Sequence, residues 1–188
     1  MVEELIKDWI HFDELWNNSK HEVFRVQLLD EYKVEGEKEL FENYKKGIIK
    51  EDPGFKEWLT MIEDLTVKGV KLVNLLLVNL PLNEYVKFGI ESYLFSTVEK
   101  GQQVMMVERN KVNDIIKEIE DFWMFDRKVA IPLVYDNDGT FLGSRKDVTD
   151  EKDIKKLVRI EDSLVKVARP LQEFLNEHNI NLVNKTKK

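Results

Sequence analysis

Residues 70–81 read Val-Lys-Leu-Val-Asn-Leu-Leu-Leu-Val-Asn-Leu-Pro. A run so nearly continuous in apolar residues predicts a β-strand over Val70–Leu80 with both faces covered. Lys68-Gly69 ends whatever precedes it, with glycine at the left-handed position that closes a helix. Pro81 lacks a backbone donor and stops the strand. Asn83 can then cap a helix carrying Tyr85, Val86, Phe88, Leu94, Phe95 and Val98, and Gly101 closes it. Gln102–Val107 is a second strand. Strand, helix, strand at this spacing predicts a parallel βαβ unit with a right-handed crossover.

Upstream, residues 3–18 have helical spacing, with Leu5, Ile6, Trp9, Ile10, Phe12 and Trp16 near one stripe. Residues 22–30 alternate as a strand, a polar helix is expected from Glu37 to Lys46, and Asp52-Pro53 opens a further helix through Leu65. Downstream, 112–120 is a short helix or loop. Phe122–Phe125, Val129–Tyr135 and Thr140–Ser144 come next as three strands. Asp126-Arg127-Lys128 joins the first two, and the turn signal Asp136-Asn137-Asp138-Gly139 joins the last two. Thr149 caps a long helix over 150–177, which Pro170 should kink or interrupt. The expectation is therefore one α/β (mixed α+β) domain over residues 1–188. It has a single sheet with a parallel βαβ unit and an antiparallel hairpin, flanked by an N-terminal helix (1–20) and a C-terminal helix (150–177). A basic tail (181–188) is expected to be disordered.

Composition narrows the function classes. Of 188 residues, 43% are hydrophobic, enough to offset the ordering entropy of a packed domain. The net charge of −7 argues against broad phosphate binding, so direct nucleic-acid contact is not expected. Without cysteine there is no thiol nucleophile, disulfide or thiolate metal site. The amphipathic, acidic start does not read as a signal peptide and no apolar run could span a bilayer, so a cytoplasmic, membrane-free protein is expected.

Motifs for chemistry are missing. His11, His21 and His178 lie too far apart in sequence to form a local zinc pair. Neither Gly-x-Ser-x-Gly nor a glycine-rich phosphate loop occurs, so no catalytic residue, metal or cofactor is expected. Asp136-Asn137-Asp138-Gly139 reads as a turn rather than a calcium loop. The remaining candidates are ligand-binding positions. Arg25 is a charge inside an apolar strand, with Asp30 or Glu31 as its default ion-pair partner and an anionic ligand as the alternative. Tyr85, Glu108 and Arg109 fall near the carboxyl edge of the βαβ unit, with Asn79 beside them, where open α/β sheets bind ligands. In Asp121-Phe122-Trp123-Met124-Phe125-Asp126, alternation puts Phe122, Met124 and Asp126 on one face and Trp123 and Phe125 on the other. Trp123 and Asp126 are therefore candidates too.

Phe12-Asp13-Glu14-Leu15-Trp16 resembles the Phe-Asp-Glu-Leu-Phe signature of an uncharacterised, mainly actinobacterial family of about this length. Phe24-Arg25 with Tyr32, Pro81-Leu82 with Tyr85, and Asp121–Asp126 with the later Tyr135-Asp136 and Gly139 resemble its further blocks in order. Where that family carries an arginine-rich strand this chain has Val73-Asn74-Leu75-Leu76, and where it carries an acid four after the tyrosine this chain has Gly89. The arrangement is also distantly similar to half of a phospholipase D-like domain, without that superfamily's His-x-Lys. The resemblance implies a noncatalytic regulatory or ligand-sensing domain, with a transcriptional regulator or a small anionic ligand as its partner. The alternative is a carboxylate-dependent hydrolase or phosphodiesterase-like enzyme using Asp126 with Glu108 and Arg109.

Overall fold

A computed structural model describes residues 5–6, 10–182 and 186–187. In chain order the elements are α1 (Ile10–Asn18), β1 (Glu22–Gln27), α2 (Lys38–Lys45), β2 (Ile48–Ile49), α3 (Phe55–Val67), β3 (Lys71–Val78), α4 (Glu84–Gly89) and, after a π-helical stretch (Ile90–Leu94), α5 (Phe95–Glu99). They continue as β4 (Gln103–Glu108), α6 (Asn113–Ile116), β5 (Asp121–Phe125), β6 (Val129–Tyr135), β7 (Phe141–Ser144), α7 (Glu151–Val167), β8 (Arg169–Pro170), α8 (Leu171–Glu177) and β9 (Thr186–Lys187). A seven-stranded mixed sheet has the order β7-β6-β5-β1-β3-β4-β8. β1, β3 and β4 are parallel, and every other pairing in it is antiparallel. The parallel unit and the hairpins are where the apolar run and turn residues put them.

Alternation along β1 gives the sheet two unlike faces. Phe24 and Val26 point to a core shared with Val73, Leu75, Phe122, Met124 and Leu164 of α7. Val23 points the other way, with Leu72, Trp123 and Phe125, to a core closed by Phe12 and Trp16 of α1 and Ile62 and Leu65 of α3. A third cluster joins β4 to α4 and α8 through Met106, Val86 and Phe174. All five residues of β5 are buried, as a strand covered on both faces requires.

Three boundaries differ from the sequence reading. Among the described residues the N-terminal helix is Ile10–Asn18, and Ile6 lies outside it, forming an antiparallel bridge to Ser144 that covers the outer edge of β7. Trp9 and residues 183–185 and 188 of the basic tail lie outside the described residues, while Thr186–Lys187 pairs with β2. The C-terminal helix is two helices. Asp150, not Thr149, caps α7 by accepting from Lys152 and Asp153 N–H, and the helix stops at Val167. Ala168 is extended, and Arg169–Pro170 then add to β4 as an edge strand, where a proline without a donor is tolerated.

Glu161 interrupts the apolar face of α7 and is fully buried. Arg127, from the β5–β6 turn, donates to its Oε1 at 2.6 Å and also contacts Glu22 and Asp162. Burial, together with the neighbouring Glu22 carboxylate, raises the Glu161 pKa to about 8. Its Oε2 meets no protein donor. Glu161 therefore holds a proton that it can donate toward Glu22.

This packing has measurable consequences. Glu161 takes up a proton on folding, because its ordinary value of 4.5 is raised in the folded chain. Its contribution to stability is complete below that ordinary value and is lost as pH rises through the raised one. Urea midpoints should thus fall from about pH 5 to about pH 8 and level off above that, and Glu161→Gln, which mimics the protonated acid, should reduce that fall. At Gly139, φ is +81° and a Cβ would lie 2.5 Å from the Glu31 carbonyl oxygen. Gly139→Ala should lower the unfolding free energy by about 2 kcal/mol or more in equilibrium denaturation.

Candidate functional site

A cavity of about 980 Å³ opens on the α1/α3 face of the sheet, beyond the aromatic cluster. Its floor is set by strand register. Arg25 of β1 pairs with Asn74 of β3 on one side and Trp123 of β5 on the other, so all three occupy one row on one face. The Arg25 guanidinium lies over the Trp123 indole, with Cζ 5.0 Å from the ring centroid, a cation–π arrangement. Its Nε is buried and has no hydrogen-bond partner, and neither has Oδ1 of Asn74, a residue only 6% exposed. Buried polar groups are nearly always paired, and here a donor and an acceptor on register partners of adjacent strands both lack a partner.

The walls are aromatic rings carrying polar tips. Trp58 of α3 packs at 75° to Trp123, 6.2 Å between centroids. Tyr85 of α4 donates to Glu37 Oε2 at 2.6 Å, and Tyr93 of the π-helical stretch donates to Asp52 Oδ2 at 3.3 Å. Burial, more than the bond from Tyr85 relieves, pushes Glu37 above its ordinary value. Burial likewise pushes both tyrosines up, with the adjacent carboxylates adding to it. Tyr135 of β6 is raised by burial and partly eased by the Arg25 charge beside it. Nearby, Asp121 accepts from Leu28 N–H and from the Tyr32 hydroxyl. Burial raises its pKa against those bonds and the Arg25 and Arg109 charges. The π-helical stretch replaces a regular turn of the helix expected over 83–101 and supplies Tyr93 and Leu94 to the wall, a placement such irregularities often have at functional sites.

Of the six positions nominated from sequence, Arg25, Tyr85 and Trp123 line this cavity and Glu108, Arg109 and Asp126 do not. Arg25 forms no ion pair with Asp30 or Glu31. Asp30 instead receives Asn79, backbone and side chain. Arg109 donates to the Leu28 carbonyl, and Glu108 is engaged by Lys111 and His178. Asp126 stands at the opposite end of the sheet, in a turn where it and Arg127 both have positive φ. Its carboxylate accepts from the backbone N–H groups of Lys20, His21 and Glu22. Burial pulls against them, yet those donors hold it below the usual aspartate range. The carboxylate alternative needed Asp126, Glu108 and Arg109 to converge, and they are apart. Among the described residues no group of three His, Asp or Glu side chains is placed to hold a metal ion, and no helix is long and apolar enough to cross a membrane.

Asn74, Glu37, Asp52 and Tyr93 were missed. Asn74 had a signal: it is the polar break inside the apolar run. Gly89, like Asn74 a departure from the resembled pattern, also lines the cavity.

A family model for a domain of unknown function, DUF6879, matches residues 10–176. The chain belongs to that family. The matched span contains every residue that lines the cavity of this DUF6879 domain, from Phe12 to Phe141. No curated protein matches the chain in sequence. Among solved structures, TrmBL2, an archaeal chromatin protein whose structure shows a novel mode of DNA binding, is similar with a TM-score of 0.48 and 9% identity. The similarity covers 87% of this chain and 51% of that one, so the chain spans about half the length of that protein.

Asp126→Ala removes an acceptor shared by three backbone donors. It should lower stability by about 2 kcal/mol near neutral pH. Because the folded pKa is depressed, the wild-type advantage is present above the ordinary aspartate value and disappears as pH falls through the folded one. Denaturation of both proteins at several acidic pH values measures the convergence.

Proposed function

We propose that this DUF6879 domain is a noncatalytic ligand-sensing domain whose cavity on the α1/α3 face of the sheet binds one small molecule. The observation that carries the reading is a pair of buried polar atoms without partners, Arg25 Nε and Asn74 Oδ1, in two residues that line the cavity. A buried donor or acceptor left unmade costs about 1–3 kcal/mol, so a ligand that completes both gains what the unpaired atoms forgo. Aromatic walls and a few convergent polar groups in about 980 Å³ match the make-up of small-molecule sites. A regulatory role, with a transcriptional regulator reading the bound state, is what the family resemblance adds, and the lack of cysteine supports a cytoplasmic setting. The distant phospholipase D-like likeness contributes architecture only, since its His-x-Lys is missing from this sequence.

Thermal unfolding in the presence of fractionated cell metabolites tests the reading. One fraction should raise the midpoint by several degrees, about 3 °C for each kcal/mol of binding free energy in a domain of this size. Arg25→Ala should abolish that shift while Asp126→Ala keeps it. No shift from any fraction, or an equal shift with Arg25→Ala, sinks the proposal.

A further inference from the structure

The two buried, unpartnered atoms, in residues that line the cavity, differ in kind. Arg25 Nε can only donate. Asn74 Oδ1 can only accept. They belong to register partners on adjacent parallel strands, which lie about 4.8 Å apart, so one edge of one ligand can meet both. A carboxylate or phosphate offers acceptors alone. It would satisfy Arg25 and set a negative oxygen against Asn74 Oδ1. An ammonium offers donors alone and would be repelled by Arg25. An acceptor next to a donor on a rigid edge completes both.

Shape and charge narrow the class further. The third member of the row is the Trp123 indole, and Trp58, Tyr85 and Tyr93 present further ring surfaces around the same space. Such walls suit a flat, stackable body. Carboxylates outnumber cations in the lining five to two, with Glu37 and Asp52 already sharing one wall. A multiply charged anion would enter against that field. Resting on the reading of this cavity as a ligand site, we infer that it takes an uncharged planar nitrogen heterocycle presenting an acceptor beside a donor on one edge, as nucleobases do, in free-base or nucleoside form. The ring carbonyl or ring nitrogen accepts from Arg25 Nε, the adjacent N–H donates to Asn74 Oδ1, and the ring lies among the indoles and phenols.

Titration of the purified full chain tests this, by calorimetry and by quenching of tryptophan fluorescence. The probes are uracil, hypoxanthine, adenine, uridine and adenosine, the monophosphates of the last two, and benzoate as a flat anion with acceptors only. At least one base or nucleoside should bind saturably at one site, and its monophosphate about tenfold more weakly or worse. Asn74→Leu and Arg25→Met should each weaken binding by about tenfold or more with the far-ultraviolet circular dichroism unchanged. Should one of these not fold, the other variant and the probe panel decide. Preference for benzoate or for a monophosphate would overturn the heterocycle and leave the ligand site standing. Failure of every probe would also overturn it, and the metabolite fractions would then decide whether the site itself survives.

Discussion

A guanidinium in the middle of a central strand constrains everything around it. Arg25 sits between β3 and β5, at the heart of the sheet, on the face that α1 and α3 cover. A charge drawn partly out of water is costly unless it is matched, and arginine keeps its proton. The surroundings answer with an indole beneath it, a tyrosine hydroxyl beside it, and carboxylates at Asp121 and Glu37 that feel its charge. That arrangement needs room and polar tips on the facing helices. The face that carries Phe24 and Val26 is closed by α7, while the face that carries Arg25 holds an open cavity.

Much of the fold was legible because it comes from period and punctuation. Glycine and proline bounded the apolar run of β3, alternation sorted Phe122 and Met124 from Trp123 and Phe125, and Asn83 capped its helix by accepting from Val86 N–H as its position implied. The errors came where tertiary contacts overrule local pattern. Leu5 and Ile6 share helical spacing with Ile10, Phe12 and Trp16, but Ile6 satisfies the edge of β7 instead. Arg169 and Pro170 continue a helical stripe on paper, but the proline and an available edge on β4 convert them to a strand.

The site was half legible for a related reason. A lone polar residue in an apolar strand can be noticed one strand at a time, and Arg25 was. Its neighbours in space depend on register, which pairs residues 49 apart in sequence on one side and 98 apart on the other. Arg25 and Asn74 are each single breaks in hydrophobic runs, and only the parallel pairing of β1 with β3 turns two breaks into one polar step. The acids failed in the opposite direction. Asp126 stood out because it ended an aromatic strand, yet its carboxylate is spent on the backbone of Lys20 to Glu22, which fastens the turn to the start of β1.

Glu161 and Arg25 both interrupt apolar faces, and they separate a structural device from an open one. Glu161 is wholly enclosed, but Arg127 binds one of its oxygens and its own proton gives the other a role toward Glu22, so nothing from outside is needed to complete it. Arg25 is half-buried and has no such closure. Its charge is balanced at a distance, its planar face is covered by Trp123, and its Nε donor still points at nothing, beside an amide oxygen in the same condition. Both atoms belong to residues that line the same aromatic-walled space, where a single ring edge can satisfy them together.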